Sequence, residues 1–185
     1  MPEKELVQLV LQGDVAAFRL IVERTEKLVL HIISGLVSSR EDQQDLAQDT
    51  YLKAFHHLRN FQYESKLSTW IGRIAYNTCI SHLRKKRIKI SISDEAAPGM
   101  EPESGNDPFT MLSSREVSVA LQRAIQTLQP LHCTLITLFH QDALGIAEIA
   151  QITGLPEGTV KSYLYRARRE LQKYLLTNYI NREAL

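Results

Sequence analysis

The sequence lacks the features of a membrane, secreted or metal-binding protein. Its 185 residues contain no apolar run near the ~18 residues that a bilayer span needs, and its first residues, MPEKELVQLV, are acidic where a secretory signal would be basic. It has only two cysteines, Cys79 and Cys133, and neither has a second cysteine or paired histidine at metal-ligand spacing. We therefore expect a cytoplasmic protein with two buried thiols and without a disulfide, metal or other cofactor.

The sequence also lacks the residue groups that an enzyme acting on nucleic acids requires. Such an enzyme needs clustered carboxylates, a nucleophile beside its base, or a glycine-rich loop that holds phosphate. Here the glycines are scattered, and none of the six histidines has a carboxylate partner at ligand spacing. We predict that the chain is not an enzyme.

Charge is distributed very unevenly, although the net charge is only +1. Residues 61–92 carry seven Lys or Arg against one Asp or Glu, whereas residues 93–116 carry one against six. A basic block suits a polyanion, and an acidic block suits solvent or a basic protein surface. The alternative, that these blocks are only solvated helix faces, stays open.

Composition also predicts the domain boundaries. Residues 91–114 hold three prolines, two glycines and five acids with few aliphatic residues, so they cannot present a continuous buried face. We predict a flexible acidic linker there. It would join a first domain, residues 1–90, to a second domain, residues 115–185.

Both domains are predicted to be helical, and the fold class is all-α. No segment alternates with period two long enough to form a strand in a sheet. In the first domain, apolar residues recur at spacings of three and four from Val15 to about Leu36, after a plausible N-cap at Asp14. Another helix is expected from Ser38-Ser39 to about Asn60, with inner-side residues that include Phe55. The last helix of this domain should begin at a hydroxyl cap, Ser68 or Thr69.

The second domain has a helix-turn-helix pattern. Two short helical segments, residues 145–153 and 156–176, are separated by Gly154-Leu155. A helix-ending glycine, an apolar plug and a proline at the first helical position are the residues that such a turn favours. Basic, aromatic and hydroxyl side chains lie outside the apolar stripe of the second segment. Such a face suits a recognition helix in the DNA major groove.

Three strings in this order carry a resemblance to a known family. They are DLAQDTYLKAF from Asp45, STWIGRIAYN from Ser68, and GLPEGTVKS from Gly154, which continues to YRAR from Tyr165. With them the chain resembles an extracytoplasmic-function (group IV) sigma factor of RNA polymerase, over nearly its whole length. The resemblance implies a region 2-like helical bundle and a region 4-like helix-turn-helix domain. It also implies a function: the factor would bind core polymerase, direct it to promoters and help to melt the DNA.

The resemblance assigns roles to three sets of residues. The set expected to bind the β′ clamp of polymerase is Asp45, Gln48, Asp49 and Leu52. The spacing of these four residues places them on one side of a helix. Their role in binding the clamp is what the resemblance implies. The set expected to contact the minus-ten element is Lys66, Ser68, Thr69, Arg73, Asn77, Ser81, Arg84 and Lys85. The set expected to contact the minus-thirty-five element is Thr159, Lys161, Ser162, Tyr165, Arg166, Arg168 and Arg169.

The implied partners are core RNA polymerase, through its β′ clamp and β flap, promoter DNA and a separate anti-sigma protein. We expect a free chain that is monomeric and not membrane-embedded.

Two departures from the family pattern stand out. Relatives commonly have Gly-Leu-Ser/Thr-Tyr where this chain has Ala143-Leu144-Gly145-Ile146, so a hydroxyl cap is missing, and Tyr163 stands where a basic residue is frequent.

One alternative function remains from the sequence. A stand-alone helix-turn-helix regulator would bind duplex DNA without polymerase, usually as a dimer on a two-fold site. No obvious dimerisation helix supports it, and the first basic domain would then be superfluous.

Overall fold

A computed structural model describes residues 1–92 and 114–180, with side chains for residues 1–86 and 119–178. Within these ranges the chain is helical and contains no strand, which confirms the all-α prediction. The predicted linker falls almost wholly outside the described residues, so the domain boundaries stay predictions. The helices are α1 (Glu3–Leu11), α2 (Val15–Leu36), α3 (Arg40–His57), α4 (Leu67–Ile92), α5 (Ser114–Gln126), α6 (Pro130–His140), α7 (Ile146–Thr153) and α8 (Glu157–Leu175).

Two helix starts follow the predicted local capping chemistry, and the start of α4 does not. Asp14 accepts a hydrogen bond from the backbone N–H of Ala17 at 3.1 Å, and Ser39 caps α3 in the same way. Helix α4 begins at Leu67 instead of the predicted hydroxyl cap at Ser68 or Thr69. The backbone N–H of Leu67 donates to a carboxylate oxygen of Glu3 at 3.0 Å. A residue of α1 therefore caps α4 and ties the two helices together.

The first lobe, α1 to α4, is built around α2. This helix packs against α1, α3 and α4, and its fully buried residues include Ile21, Val29 and Ile32. The facing helices contribute Ala54 from α3 and Ile71 from α4, both with no exposed surface. Burial of these apolar side chains is the main source of the lobe's stability.

Phe55 corrects one sequence prediction about α3. It was expected on the inner side of that helix, but 46% of its surface is exposed. Its ring packs edge-on against Phe18 of α2, with the ring centroids 5.0 Å apart. The aromatic pair therefore lies on the outer rim of the α2–α3 contact.

The second lobe, α5 to α8, forms the predicted helix-turn-helix. Ile149 and Ile152 of α7 pack with Val160 and Leu164 of α8, and all four side chains are buried. Gly154 ends α7 with a φ of +72°, a left-handed conformation that glycine adopts without steric cost. Helix α8 begins at Glu157, one residue later than the predicted start at the proline.

The two lobes pack directly against each other. Helix α2 lies on α6, and α4 lies on α7. The approach is close at two glycines: a Cβ atom at Gly35 would lie 2.5 Å from Oγ1 of Thr134, and one at Gly72 would lie 3.2 Å from Cδ1 of Ile152. The buried residues of both lobes consequently form one continuous cluster.

Candidate polymerase and nucleic-acid interfaces

One side of α3 carries the four residues predicted to bind polymerase. Asp45, Gln48, Asp49 and Leu52 are all exposed, and Leu52 shows 58% of its surface. The opposite side of the helix is buried through Leu46, Thr50 and Ala54. The structure thus brings the four residues together on an outward face, which is here called the α3 acidic face.

The two acids of the α3 acidic face differ in their surroundings. Asp49 forms an ion pair with Lys53 at 2.7 Å, and that lysine also donates to Oγ1 of Thr78 at 3.2 Å. Within the side chains that the structure describes, Asp45 forms no ion pair. Asp45 is therefore the carboxylate more available to a cationic partner.

Sequence reasoning missed Phe55 as a surface residue beside this face. Position 55 follows Gln48 by seven residues and Leu52 by three, so the three side chains share one helical stripe. This spacing was the available signal. The exposed ring adds an aromatic side chain to a face that already exposes Leu52, and aromatic residues are enriched at the centres of protein interfaces.

The predicted minus-ten residues follow α4 along one stripe. Arg73, Asn77, Ser81, Arg84 and Lys85 are all exposed. Spacings of three or four residues separate Arg73, Asn77, Ser81 and Arg84, which places them on one face. We call these four residues the α4 stripe.

The start of α4 contains the predicted residues that fit less well. Ser68 is half-buried, and Thr69 retains 2% of its surface, so Thr69 is a packing position in this structure. Trp70 lies half-buried with its ring centroid 5.4 Å from that of Phe61. Trp70 therefore packs within the first lobe.

Lys66 is paired with a residue of the other lobe. Its Nζ lies 2.8 Å from Oε1 of Glu148 on α7. The hydrogen bond with Lys66, together with the backbone N–H of Gly145, lowers the pKa of Glu148, and the same contact raises the pKa of Lys66. A cation expected to meet DNA thus meets a carboxylate instead.

Glu148 also replaces the hydroxyl cap that the sequence lacks. Its Oε2 accepts a hydrogen bond from the backbone N–H of Gly145 at 3.0 Å, which is one half of a capping box at the start of α7. The residue two places earlier, Ala143, has a φ of +53°. That left-handed conformation suits the glycine that relatives commonly have there, and an alanine holds it with strain.

Arg73 and Asn77 face the second lobe across a cleft. The opposite wall consists of α7 and the turn that follows it, including Gln151, Leu155 and Pro156. The centre of the α4 stripe and the helix-turn-helix therefore lie side by side in this arrangement.

The outer side of α8 forms the predicted minus-thirty-five surface. The side chains that line it are Lys161, Ser162, Tyr165, Arg166 and Arg169, all of them exposed, together with Glu170. Tyr165 shows 61% of its surface, and the guanidinium of Arg169 lies 6.0 Å from its ring centroid. We call this set the α8 basic face; cations with interleaved aromatic and hydroxyl groups can contact both phosphates and base edges.

Two predicted minus-thirty-five residues lie apart from the α8 basic face. Arg168 extends over the ring of Phe139, 5.1 Å from its centroid, and its Nε–H donates to Nε2 of His140 at 3.3 Å. Burial of the His140 ring lowers its pKa, and the nearby positive charge of Arg168 lowers it further. Arg168 thus braces α8 against α6. Thr159 is half-buried in the first turn of α8.

Tyr163 packs within its own lobe. It is half-buried, and its ring centroid lies 5.5 Å from that of His132. The guanidinium of Arg166 lies 5.9 Å from the same ring. The tyrosine therefore orients a neighbouring arginine where relatives frequently have a basic residue.

No helix within residues 1–92 or 114–180 has the length and apolarity that crossing a membrane requires.

Comparison with known proteins identifies both lobes. The family model of Sigma-70 region 2 matches residues 21–88, and that of Sigma-70, region 4 matches residues 118–171. The chain is 31% identical over 179 residues to the ECF RNA polymerase sigma factor SigW of Bacillus subtilis, which covers 93% of this chain and 96% of that protein. It is 33% identical over 178 residues to the ECF RNA polymerase sigma-E factor of Escherichia coli K12, covering 92% and 93%.

A solved structure has a similar fold over most of the chain. It is the sigma factor RpoE of Bartonella quintana in complex with the anti-sigma factor NepR, with a TM-score of 0.68 and 26% identity, covering 89% of this chain and 99% of that one. The chain belongs to the extracytoplasmic-function family of RNA polymerase sigma factors. Its function is promoter-directed initiation of transcription, and the stand-alone regulator is not favoured.

Proposed function

We propose that the three exposed faces divide the work of initiation. The α3 acidic face, with Phe55, binds the β′ clamp of core polymerase. The α4 stripe contacts the minus-ten element: amide and hydroxyl groups contact an unstacked base, and the cations hold the phosphates. The α8 basic face contacts the minus-thirty-five element in the major groove, beside the polymerase β flap.

The observation that carries this proposal is the chemistry of the three faces. Each is exposed, and each lies on a different helix within the matched regions. An acidic face with Leu52 and Phe55 suits a basic protein surface, because opposite charges steer association and apolar side chains supply contact area. The other two faces combine cations with amide, hydroxyl or aromatic groups, which suits nucleic acid.

The proposal extends to partners and setting. The RpoE relative of Bartonella quintana is bound by an anti-sigma factor, and we propose that a separate anti-sigma protein regulates this chain as well. The chain acts in the cytoplasm as a non-catalytic subunit. It is monomeric when free, since recognition of two different promoter elements needs no two-fold symmetry.

Charge reversal on the α3 acidic face tests the polymerase contact. Asp45→Lys with Asp49→Lys should weaken binding to purified core polymerase, because each lost contact is worth ~1–3 kcal/mol when it is largely desolvated in the complex. We expect Asp45 to account for the larger share, since Asp49 already pairs with Lys53. Fluorescence anisotropy of the labelled chain against core polymerase measures the affinity.

The matched control is Glu23→Lys with Glu26→Lys. Both glutamates are exposed on α2, and the pair changes the net charge by the same amount. The control should keep nearly full affinity at moderate salt. Equal losses in the two double variants would show that only net charge matters, and an unchanged affinity of the Asp45 and Asp49 variant would move the interface elsewhere.

A further inference from the structure

The start of α1 is fastened to two other helices of the first lobe. Arg24 on α2 donates a hydrogen bond from Nη1 to the backbone oxygen of Met1 at 3.2 Å. The carboxylate of Glu3 accepts one from the backbone N–H of Leu67, the first residue of α4, at 3.0 Å. Three apolar residues of α1 are buried in the core: Leu6, Val7 and Val10. The core therefore fixes the position of α1, and Glu3 links that position to the start of α4.

The backbone N–H of Leu67 needs an acceptor from outside its own helix. The N–H of Trp70 donates to the carbonyl oxygen of Lys66 at 3.0 Å, so Lys66 stands immediately before the helix and Leu67 is its first residue. The first N–H groups of a helix have no partner within the helix. Glu3 supplies the missing acceptor, and its negative charge also complements the positive end of the helix dipole.

The loop before α4, residues 61–66, depends on support at both of its ends. It follows a single 3₁₀ turn, Leu58–Asn60, which α1 also contacts. Within the loop, Phe61 is buried and Tyr63 has a φ of +58°, a left-handed conformation that is unfavourable for a residue with a Cβ atom. Such a conformation persists only where the surrounding structure holds it in place. Helix α1 therefore supports the loop at the 3₁₀ turn and, through Glu3, at Leu67.

The residues next to Leu67 belong to the predicted minus-ten set. Lys66 precedes it and Ser68 follows it, and the α4 stripe begins at Arg73 along the same helix. Groups that capture an unstacked base must be held close to their productive geometry before the base arrives, because a small displacement weakens every contact. A shift of the backbone at Leu67 would displace both of its neighbours. The α3 acidic face and the α8 basic face lie on other helices.

We propose that Glu3 is a positioning residue for promoter opening, through which α1 holds residues 61–66 and the first turn of α4 in the form that meets the unstacked strand. The inference rests on the proposed role of α4. Helix α1 lies before residues 21–88, which the region 2 family model matches. Glu3 acts through the backbone of Leu67 and not through contact with DNA.

Three substitutions in α1 separate this role from the alternatives. Glu3→Ala removes the acceptor, whereas Glu3→Gln removes the charge and keeps a side-chain oxygen that can accept from Leu67. Glu5→Ala is the matched control, because Glu5 is an exposed acid in the same first turn and its loss changes the net charge equally. Each chain is assembled with core polymerase on a promoter that the wild-type chain selects from genomic DNA. Filter binding then measures the closed complex, and permanganate reactivity measures the opened bubble.

Glu3→Ala should reduce the opened fraction of the promoter roughly 2- to 30-fold, the range that loss of a helix cap spans. Its affinities for core polymerase and for the closed promoter should stay nearly unchanged, because those contacts lie on other helices. A template with a pre-melted bubble should restore its activity. Glu3→Gln and Glu5→Ala should both open the promoter nearly as well as wild type.

Hydrogen exchange of the free chain tests the cap directly. The amide of Leu67 should exchange slowly in wild type and in Glu3→Gln, and faster in Glu3→Ala. Amides in the interior of α8 should keep their wild-type exchange rates in all three variants, which distinguishes a local change from loss of global stability. Fast exchange of the Leu67 amide in the wild-type chain would overturn the proposal.

The promoter assays give the other decisive outcomes. Equal opening by wild type and Glu3→Ala overturns the positioning role and leaves the proposed function standing. Equal losses in polymerase binding, closed-promoter binding and opening would also overturn it, because they would reflect loss of folded chain. Similar opening defects in all three variants would mean that only charge matters, which again contradicts the proposal. Failure of the wild-type chain to open any promoter would refute the proposed function, and the inference with it.

Discussion

Separate substitutions in α8 and α4 test the division of DNA binding between the two lobes. Arg166→Ala removes a cation from the α8 basic face, and Asn77→Ala removes an amide from the α4 stripe. Both residues are exposed, and the contact recorded for Arg166 within the protein is with the ring of Tyr163. We therefore expect each variant to fold with a stability within ~0.5 kcal/mol of wild type.

The two variants should fail at different steps. Loss of a base contact by Arg166 should cost the holoenzyme ~1–3 kcal/mol, or roughly 5- to 150-fold, in closed-promoter affinity, and relax sequence choice at the upstream element. Asn77→Ala should leave that affinity nearly unchanged and impair strand opening. A template with a pre-melted bubble should then restore its activity, because the base no longer has to be unstacked.

Filter binding measures closed-complex affinity, and permanganate footprinting measures the opened bubble on the same template. Arg168→Ala is the matched arginine control. It should destabilise the lobe without relaxing promoter choice, since Arg168 packs on Phe139. Equal defects of Arg166→Ala and Asn77→Ala in both assays, both restored by lower salt, would mean that each residue only touches phosphate. That result would refute the division of labour.

Three further predictions concern single residues. Phe55→Ala should weaken core-polymerase binding by ~1–3 kcal/mol as an aromatic anchor of the interface, and titration showing wild-type affinity would contradict this. Ala143→Gly should raise the free energy of unfolding by ~0.5–1 kcal/mol, because glycine relieves the strain at a φ of +53°; denaturant unfolding that shows a loss would contradict it. The stability difference between wild type and Glu148→Gln should depend on pH. Because Lys66 lowers the pKa of Glu148, the contact stabilises the fold above the usual value of 4.5 and is lost as pH falls through the lowered pKa; a difference independent of pH from neutral down to acid would contradict this.

The sequence predicted the features that depend on local chemistry. The caps at Asp14 and Ser39 and the turn at Gly154 follow from the backbone needs of helix ends, so neighbouring residues suffice to identify them. The exposed side of α3 followed from spacing alone. The family strings then gave that side and the other two faces their proposed roles.

Residues at the edge of an apolar stripe were harder to place. Phe55 lies beside the buried stripe of α3, and whether such a ring is covered depends on how far the next helix extends. Here the ring packs edge-on against Phe18 of α2, and nearly half of it stays exposed. The same uncertainty applies to Arg168, which is a border residue of α8 and is drawn to Phe139 by a cation–π contact.

The lobe contact could not be predicted from local sequence. His31 and Asp142, whose side chains form a hydrogen bond between the lobes, are 111 residues apart, and neither has a neighbour that indicates its partner. Gly35 and Gly72 resemble ordinary helix glycines, and their purpose is visible only when another helix approaches. By contrast, the cap by Glu148 had a local signal: a glutamate three residues after Gly145 is the spacing of a capping box.

Run-off transcription with purified core polymerase tests the central claim most directly. Core polymerase and the chain are incubated together on fragmented genomic DNA, and transcript ends are mapped with and without the chain. The account predicts discrete start sites that depend on the chain and share two upstream elements, while the chain alone binds the same DNA weakly. Absence of chain-dependent start sites, together with tight binding of the free chain to duplex DNA, would contradict it and favour a stand-alone regulator.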